Sequence, residues 1–437
     1  MIRKLRRKLI ITSMASLFLV LLVIEGIVDV EDTDKVQLVL NGVEITSERS
    51  AAIYICSADK VFITTMSGSD NRLTNGGTYT AIDDNNIDAV IYSKDDLTLN
   101  GDGTLTIDAA AGHGVVSKDD LVLTSGTYEI NAEKHGLSGK DSVRISEGTY
   151  HITAGKDGIH ASNTDDSIQG FIYIAGGNFE ITADDDGMHA DSSLLIEGGT
   201  IHVEECYEGL EGLSISITGG DIDVTSGDDG LNAAGGNDSS GFGGRGGDMF
   251  AVEEGAYIHI SRGTLHVNAS GDGIDSNGDL TISGGETYVS GPVNDGNSSI
   301  DFNGEGMISG GIFAAAGSSG KAQNFNNSST QGVIMVTVNT QAAESNISLK
   351  DSDGNELLSW SSDKEYTSVI VNCPAITQGT AYTLTAGNIT QEITMDSLVY
   401  GSGGMNGQPG RNAPGDEGQM SDQPGNGASG TAGQFSV

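Results

Sequence analysis

Residues 135–158 read HGLSGKDSVRISEGTYHITAGKDG, and this stretch decides the fold because it begins and ends on the same kind of turn. The turn is a triplet of a polar residue, a glycine and an aliphatic residue, as in His135-Gly136-Leu137. A second glycine, Gly148, precedes Tyr150 and Ile152, whose spacing is typical of a strand with one buried face. The stretch therefore predicts one coil of a repeating structure.

The same triplet recurs on both sides of this stretch, and Gly114, Gly136 and Gly158 are 22 residues apart. Two wider separations contain the extra residues 163–170 and 233–247, which we interpret as loops that leave the stack. The other triplets are His113-Gly114-Val115, Asp157-Gly158-Ile159, Asp186-Gly187-Met188, Glu208-Gly209-Leu210, Asp229-Gly230-Leu231, Asp272-Gly273-Ile274 and a degenerate Asp295-Gly296-Asn297.

Each coil has three short strands, because a third apolar segment such as Val143-Arg144-Ile145 lies between the two glycine signals. One such coil cannot bury its apolar face, but coils stacked at roughly 4.8 Å share a continuous core. A leucine-rich repeat has a similar period but needs a helical segment, for which these glycines leave no room. We therefore predict an all-β fold, a right-handed parallel β-helix (a solenoid) with coils of about 22 residues.

The segments that flank the repeat predict a modular chain. After Gly332 the strands lengthen around a hairpin-like Asp351-Ser352-Asp353-Gly354, which predicts a small antiparallel β unit at the C-terminal end. The predicted boundaries are 1–30 for a signal peptide or N-terminal membrane anchor, 31–87 for capping coils, 88–331 for the parallel β-helix, 332–400 for the C-terminal β unit, and 401–437 for a disordered tail rich in glycine, proline and glutamine.

The N-terminus has the layout of an export signal. Five basic residues lie within residues 1–8, and an apolar run from Leu9 to Ile24 follows them. A cleaved signal and an uncleaved anchor both fit this pattern, and both place residue 31 onward outside the cell. We expect a secreted or surface-anchored protein that meets the membrane only through this segment.

The composition limits the classes of partner. The formal charge is −40, which repels nucleic acid and concentrates divalent cations. The three cysteines, Cys56, Cys206 and Cys373, predict neither a disulfide framework nor a cysteine-based zinc site. Zinc-binding and nucleophilic constellations lack the required spacing, so the sequence assigns no catalytic residue.

Stacking of the coils arranges the acidic residues in two columns. The residues before the triplet glycines form the first column, the residues three positions later form the second, and neighbouring aspartates double two of the turns. Carboxylates repeated about 4.8 Å apart repel one another, so an oxygen-ligated divalent cation is expected, and Ca²⁺ suits an extracellular site. The alternative is plain turn chemistry, in which Asp bonds its own backbone and Gly takes positive φ. The candidate metal ligands are Asp185, Asp186, Glu208, Glu211, Asp228, Asp229, Asn232, Asp272 and Asp275, and His160 and His189 occupy the second column without being assigned as ligands.

Several segments resemble the clostridial carbohydrate-binding domain-containing surface proteins over about residues 35–390. They include Ala89-Val90-Ile91-Tyr92-Ser93-Lys94-Asp95-Asp96-Leu97, Tyr207-Glu208-Gly209-Leu210-Glu211-Gly212 and Gly271-Asp272-Gly273-Ile274-Asp275-Ser276-Asn277-Gly278. The resemblance implies a pectate-lyase-like β-helix, bound calcium, and binding of cellulose and polygalacturonate. His113 and His135 stand where that pattern has acidic residues, so the resemblance does not extend a metal site to the early coils.

Three functions follow as alternatives. The first is non-catalytic binding of an acidic or neutral plant cell-wall polysaccharide, in which calcium bridges a polyanion to the acidic face. The second is a calcium-dependent polysaccharide lyase, which needs a base beside the metal. None of Arg144, Arg245 and Arg262 falls in the acidic columns, which disfavours the lyase. The third is a structural adhesin, and the residues that contact sugar are not assigned.

Overall fold

The computed structural model describes residues 26–77, 79–80, 85–234 and 251–402, and every regular element in these ranges is a β-strand. The first coils comprise β1 (Gly26–Asp29), β2 (Lys35–Leu40), β3 (Glu44–Ser47), β4 (Ile53–Ser57), β5 (Lys60–Thr65), β6 (Asp70–Asn75), β7 (Ala89–Ser93), β8 (Asp96–Gly101) and β9 (Thr104–Ala109). The middle coils comprise β10 (His113–Ser117), β11 (Asp120–Leu123), β12 (Thr127–Ala132), β13 (Leu137–Gly139), β14 (Ser142–Ile145), β15 (Thr149–Ala154), β16 (Ile159–Ala161), β17 (Phe171–Ile174), β18 (Asn178–Ala183) and β19 (Met188–Ile196). The last coils comprise β20 (Thr200–Glu205), β21 (Leu210–Ile217), β22 (Asp221–Ser226), β23 (Leu231–Ala233), β24 (Tyr257–Ile260), β25 (Thr264–Ala269), β26 (Ile274–Ser276), β27 (Asp279–Ser290), β28 (Asp301–Phe302) and β29 (Gly306–Gly317).

These strands pair in three parallel columns, so that about 11 coils form a β-solenoid. One column begins β1-β4-β7-β10-β13-β16, the second β2-β5-β8-β11-β14-β17, and the third β3-β6-β9-β12-β15-β18. The prediction of an all-β parallel solenoid is confirmed. Strands within 26–75 already belong to the same columns, so the stack begins before residue 88.

Inward residues of one column form a continuous apolar core. Tyr128 pairs with Tyr150, and Tyr150 pairs with Phe179, with ring centroids 5.2 and 4.7 Å apart. The glycines that open these strands have positive φ, 120° at Gly126 and 130° at Gly148, a conformation that other residues resist. The alternating pattern read from the sequence therefore matches the fold.

The triplet glycines are needed for a different reason, which corrects the plain turn-chemistry interpretation. Gly158, Gly209 and Gly273 lack positive φ. A Cβ on Gly209 would lie 2.2 Å from the carbonyl oxygen of Gly230 and 2.3 Å from a methyl of Val224. The glycine is therefore required because adjacent coils approach too closely for any side chain.

The last triplet prediction, Asp295-Gly296-Asn297, is wrong by three residues. The backbone N–H of Gly273 bonds the carbonyl oxygen of Ser298, which places Ser298-Ser299-Ile300 at the triplet position. The separation from Gly273 to Ser299 is 26 residues instead of 22, and Gly296 belongs to an exposed turn made with Asn294. The corrected register places Asp301 opposite Asp275 in the second acidic column.

The predicted small antiparallel unit at the C-terminal end is confirmed as a sheet of four strands. The strands after the stack are β30 (Val333–Gln341), β31 (Asn346–Asp351), β32 (Glu356–Ser361), β33 (Tyr366–Asn372), β34 (Ala381–Ala386), β35 (Ile389–Thr394) and β36 (Val399–Tyr400). β31, β32, β34 and β35 form a four-stranded sheet in the order β32-β31-β34-β35, with all neighbours antiparallel. β33 pairs antiparallel with β29 and so ends the parallel stack.

Three sequence-based interpretations fall at least partly outside the described residues: the export signal within 1–25, most of the glycine-rich loop at 235–250, and the tail from 403 onward. Within the described ranges we find no helix with the length and apolar character of a membrane span. The domain boundaries and the extracellular location remain predictions.

Candidate functional site

The polar residue of five triplets, His113, His135, Asp157, Asp229 and Asp272, accepts a backbone N–H of the next coil. Asp157 Oδ1 accepts the N–H of Asp186 at 3.3 Å, and Asp229 Oδ1 accepts the N–H of Asp272 at 2.6 Å. The Nδ1 atoms of His113 and His135 accept the N–H of the next triplet at 3.3 and 3.2 Å. In these coils one side-chain oxygen or nitrogen thus stabilises the stack by accepting a backbone N–H. The second carboxylate oxygen of each aspartate remains available for a ligand.

The two predicted acidic columns lie side by side. Three of their residues, Asp186, Glu208 and Glu211, form a first group, which we call the glutamate cluster. The register pairs Met188 with Leu210 and His189 with Glu211, so the two glutamates stack on the Asp186 coil. One ligand atom from each member lies within 4.8 Å of the others. Glu208 and Glu211 are each only 1% exposed. Carboxylates at this depth require a counter-charge or a proton.

Three buried oxygens around this cluster have no hydrogen-bond partner among the described residues. They are Oε1 of Glu208, Oε1 of Glu211 and Oδ1 of Asn232. Asn232 is 3% exposed and donates its amide N–H to the other oxygen of Glu208 at 2.7 Å, which leaves its own oxygen as an acceptor. Unsatisfied buried acceptors cost free energy, and a cation bound against them would lower this cost.

The second group, which we call the aspartate cluster, consists of Asp229, Asp272 and Asp275. Their ligand atoms also lie within 4.8 Å of one another. Burial, followed by repulsion among the neighbouring carboxylates, raises the pKa of Asp229 to about 9 and that of Asp275 to about 8. Burial likewise raises the pKa of Asp272 to about 7. The cluster therefore holds fewer negative charges at neutral pH than its sequence implies, unless a cation replaces the protons.

The glutamate cluster differs because a cation from the chain already contacts it. His189 Nδ1 lies 3.1 Å from Asp186 and also contacts Glu211, while Nε2 lies 3.4 Å from Asp191. Burial alone would lower the pKa of His189, but these carboxylates raise it to about 12. Burial raises the pKa of Glu208 to about 9. His189 is therefore a built-in counter-charge, a role that residue type and spacing did not reveal.

The remaining candidate ligands are less central. Asp185 is half-exposed and pairs with Lys156 at 2.8 Å. Asp228 is half-buried beside the aspartate cluster, where its charge raises the pKa of Asp229. The sequence analysis missed Asp301 and Lys321, whose charges act on Asp272 and Asp275. Lys321 follows β29, and no repeat signal marks it.

The donor atoms of both clusters fit a hard divalent cation. All three members of the aspartate cluster offer carboxylate oxygens, and the glutamate cluster adds the amide oxygen of Asn232. Ca²⁺ takes six to eight such oxygens and tolerates irregular geometry, whereas the nearby imidazoles are poor ligands for it. Acidic clusters able to hold a metal ion were thus predictable from the repeat, and the structure brings most of the predicted residues together.

A groove of about 300 Å³ opens over the N-terminal side of the glutamate cluster. Its lining residues are His135, Lys156, Asp157, His160, Asp185, Asp186, His189, Tyr207, Glu208 and Glu211. Tyr207 is 42% exposed, so an aromatic ring borders the acidic floor. The groove offers a ligand both charge and an apolar face.

Two known proteins are similar in sequence to this chain. A carbohydrate-binding domain-containing protein of Acetivibrio thermocellus is 43% identical over 108 residues, which is 24% of this chain and 38% of that protein. The alignment therefore spans well under half of that relative. A solved structure, the gadolinium derivative of the polysaccharide lyase-like protein from C. thermocellum, is 37% identical with a TM-score of 0.40, and the match covers 48% of this chain and 79% of that chain.

A family model described as carbohydrate-binding domain-containing protein matches residues 22–249. This range takes in β1–β23, all of the glutamate cluster and, from the aspartate cluster, Asp229. Because the match extends over more than half of the 437 residues, the chain belongs to the family of carbohydrate-binding domain-containing proteins.

Proposed function

We propose that this protein is an extracellular, non-catalytic polysaccharide-binding protein that holds acidic plant cell-wall polysaccharide, such as polygalacturonate or pectin, through Ca²⁺ on the acidic edge of the solenoid. Cellulose is the neutral polysaccharide that we include in the proposal. The observation that carries it is the set of buried, unpartnered oxygens of Glu208, Glu211 and Asn232. Family membership supports the carbohydrate as partner.

The net charge explains why a cation is needed. A chain with a formal charge of −40 repels a polyuronate at long range. Asp229, Asp272 and Asp275 would hold Ca²⁺ in the aspartate cluster, and Asp186, Glu208, Glu211 and Asn232 would hold it in the glutamate cluster. Bound Ca²⁺ supplies open coordination positions for a uronate carboxylate.

The solenoid itself supports binding of a long polymer. The acidic positions repeat once per coil, so successive cation sites lie along the axis on a rigid backbone. Several weak contacts to one chain add up to a much higher apparent affinity. Tyr207, beside the groove, offers an apolar ring face to a sugar.

The described arginines argue against lyase activity. Arg72 pairs with Asp108 at 2.6 Å, and Arg144 pairs with Asp120. Neither residue lines the groove or belongs to the two clusters. Arg49 and Arg262 are exposed, the latter after β24, and neither lines the groove or belongs to a cluster. A lyase base beside the metal would therefore have to come from another residue type, such as Lys321.

Retention on insoluble pectin tests the proposal. We expect the full chain to bind in Ca²⁺, to elute in chelator, and to lose retention in the Asp229→Ala and Asp272→Ala variants. Asp223→Ala is the matched control, because Asp223 is exposed on the outward side of β22 and belongs to neither cluster. Retention that is unchanged by chelator would contradict the calcium bridge. Release of an unsaturated, ultraviolet-absorbing product from polygalacturonate would contradict the non-catalytic function.

A further inference from the structure

Four histidines from successive coils form one stack of imidazole rings. The centroids of His113 and His135 are 4.8 Å apart, those of His135 and His160 4.1 Å, and those of His160 and His189 5.0 Å. His113 and His135 are the first residues of their triplets, whereas His160 and His189 stand three residues after the first residue of theirs. The stack thus crosses from one column to the other between His135 and His160, and Asp157 lies at this crossing.

The carboxylate of Asp157 faces both rings at the crossing. Its Oδ2 lies 3.0 Å from His135 Nδ1 and 2.5 Å from His160 Nδ1, so two nitrogens converge on one oxygen. Asp157 is only 3% exposed, and its Oδ1 is fixed by the N–H of Asp186. A side chain held in this way is preorganised, because the contacts of its second oxygen orient the first.

Nδ1 of His135 has two contacts with the same residue. It lies 3.2 Å from the backbone nitrogen of Asp157 and 3.0 Å from Oδ2 of that residue. A cation bound between Nδ1 and Oδ2 would draw on lone pairs of both atoms, at the expense of one long hydrogen bond.

Neutral imidazole suits Zn²⁺, Cu²⁺ and Ni²⁺, whereas Ca²⁺ prefers oxygen. Ligands around tetrahedral Zn²⁺ stand about 3.3 Å apart when each bond is about 2.0 Å, and Oδ2 of Asp157 lies 3.0 and 2.5 Å from the two histidine nitrogens. The two stacked rings have to tilt so that both nitrogens point at one ion.

We propose that His135, Asp157 and His160 form a site for a borderline divalent transition metal, with Zn²⁺ as the representative ion, distinct from the oxygen clusters. All three line the same groove, so ions have a path from solvent and a fourth coordination position faces the groove. Three protein ligands with one open position constitute a site that can take water or an anionic ligand. The early coils, where acidic residues give way to histidines, thus carry a metal site of another class.

Titration calorimetry of the full chain with Zn²⁺, in a large excess of Ca²⁺, tests this site. We expect Zn²⁺ to bind despite the Ca²⁺, and His135→Asn and His160→Asn to weaken binding by about 100-fold or more. His202→Asn is the control, since His202 is exposed on the outward side of β20. This variant should bind Zn²⁺ as tightly as the wild type. Zn²⁺ binding that Ca²⁺ abolishes, or that both variants retain, overturns the proposal.

A second measurement does not depend on the folding of a variant. Crystals of the wild-type chain soaked with Zn²⁺ should show an anomalous peak between His135, Asp157 and His160 at the zinc absorption edge. Substitution by Co²⁺ should produce the visible absorption of a four-coordinate nitrogen and oxygen site. A peak at the glutamate or aspartate cluster alone overturns the assignment. These readouts are independent of polysaccharide retention, so the two proposals can fail separately.

Discussion

Asp229 Oδ1 accepts the backbone N–H of Asp272 at 2.6 Å, across the boundary between two coils. The same carboxylate belongs to the aspartate cluster. One side chain therefore supports the stack through one oxygen and adds unfavourable negative charge through its ionised form. Amide and methyl substitutions separate these two contributions.

In chelator, we expect Asp229→Asn to be at least as stable as the wild type, because its Oδ1 still accepts the N–H and the repulsion is relieved. Asp229→Ala should be less stable by about 1–3 kcal/mol, because the N–H of Asp272 loses its partner. Both variants should lose most of the stabilisation that added Ca²⁺ gives the wild type. Thermal unfolding with and without Ca²⁺ measures both effects. Equal stability of the two variants in chelator would contradict the backbone role.

The pH dependence of the metal-free protein follows from the raised pKa values of Asp229, Asp272 and Asp275, at about 9, 7 and 8. A carboxyl whose pKa is higher in the folded than in the unfolded state stabilises the fold at low pH. That stability is lost as the pH rises through the folded pKa.

We therefore expect the melting temperature in chelator to fall between about pH 4 and pH 9. Saturating Ca²⁺ should remove most of this slope, since it replaces the protons as counter-charge. Asp229→Asn should flatten the slope even in chelator, whereas Asp223→Asn, on an exposed outward position, should not. A melting temperature that rises over this range in chelator would show that the clusters are already neutralised by the chain.

The extent to which the sequence predicted this site depends on what the repeat encodes. Column membership follows from the period alone, so Asp186, Glu208, Glu211 and Asp272 were identifiable before any coordinates. Lys321 lies after the last regular coil, where no repeat sets its position. The histidine stack was missed for another reason: its members occupy two different repeat positions, and the side chains meet only because imidazoles reach across the gap between columns.

Because adjacent coils approach closely at the triplet glycines, adding one methyl group there should lower the stability of the fold markedly. Gly209→Ala should destabilise the fold by about 1–3 kcal/mol, because backbone atoms of the next coil cannot move aside. Gly227→Ala is the control, since its nearest non-neighbouring atom would be 3.4 Å from the new Cβ and its φ is not positive. Urea unfolding compares the two variants. Equal effects would mean that the coils relax readily around the triplet.

The charge of Lys321 acts on Asp272 and Asp275 and is therefore expected to oppose a cation in the aspartate cluster. Burial raises the pKa of Asp275 to about 8, while the Lys321 ammonium acts in the opposite direction, as it also does on Asp301. Removing this positive charge makes the electrostatic potential of the cluster more negative, so Lys321→Met should bind Ca²⁺ several-fold more tightly by calorimetry. It should also be less stable than the wild type in chelator at alkaline pH. Lys350→Met, at an exposed position of β31, should change neither property.

Tighter binding by Lys321→Met would identify the lysine as an internal counter-charge that Ca²⁺ displaces. Weaker binding would contradict this role and would instead indicate that Lys321 orients Asp272 or Asp301 for the ion. The same variant bears on the lyase alternative, because Lys321 is the described lysine whose charge acts on the aspartate cluster. If the wild type released unsaturated products and Lys321→Met did not, Lys321 would be identified as the lyase base that no described arginine supplies.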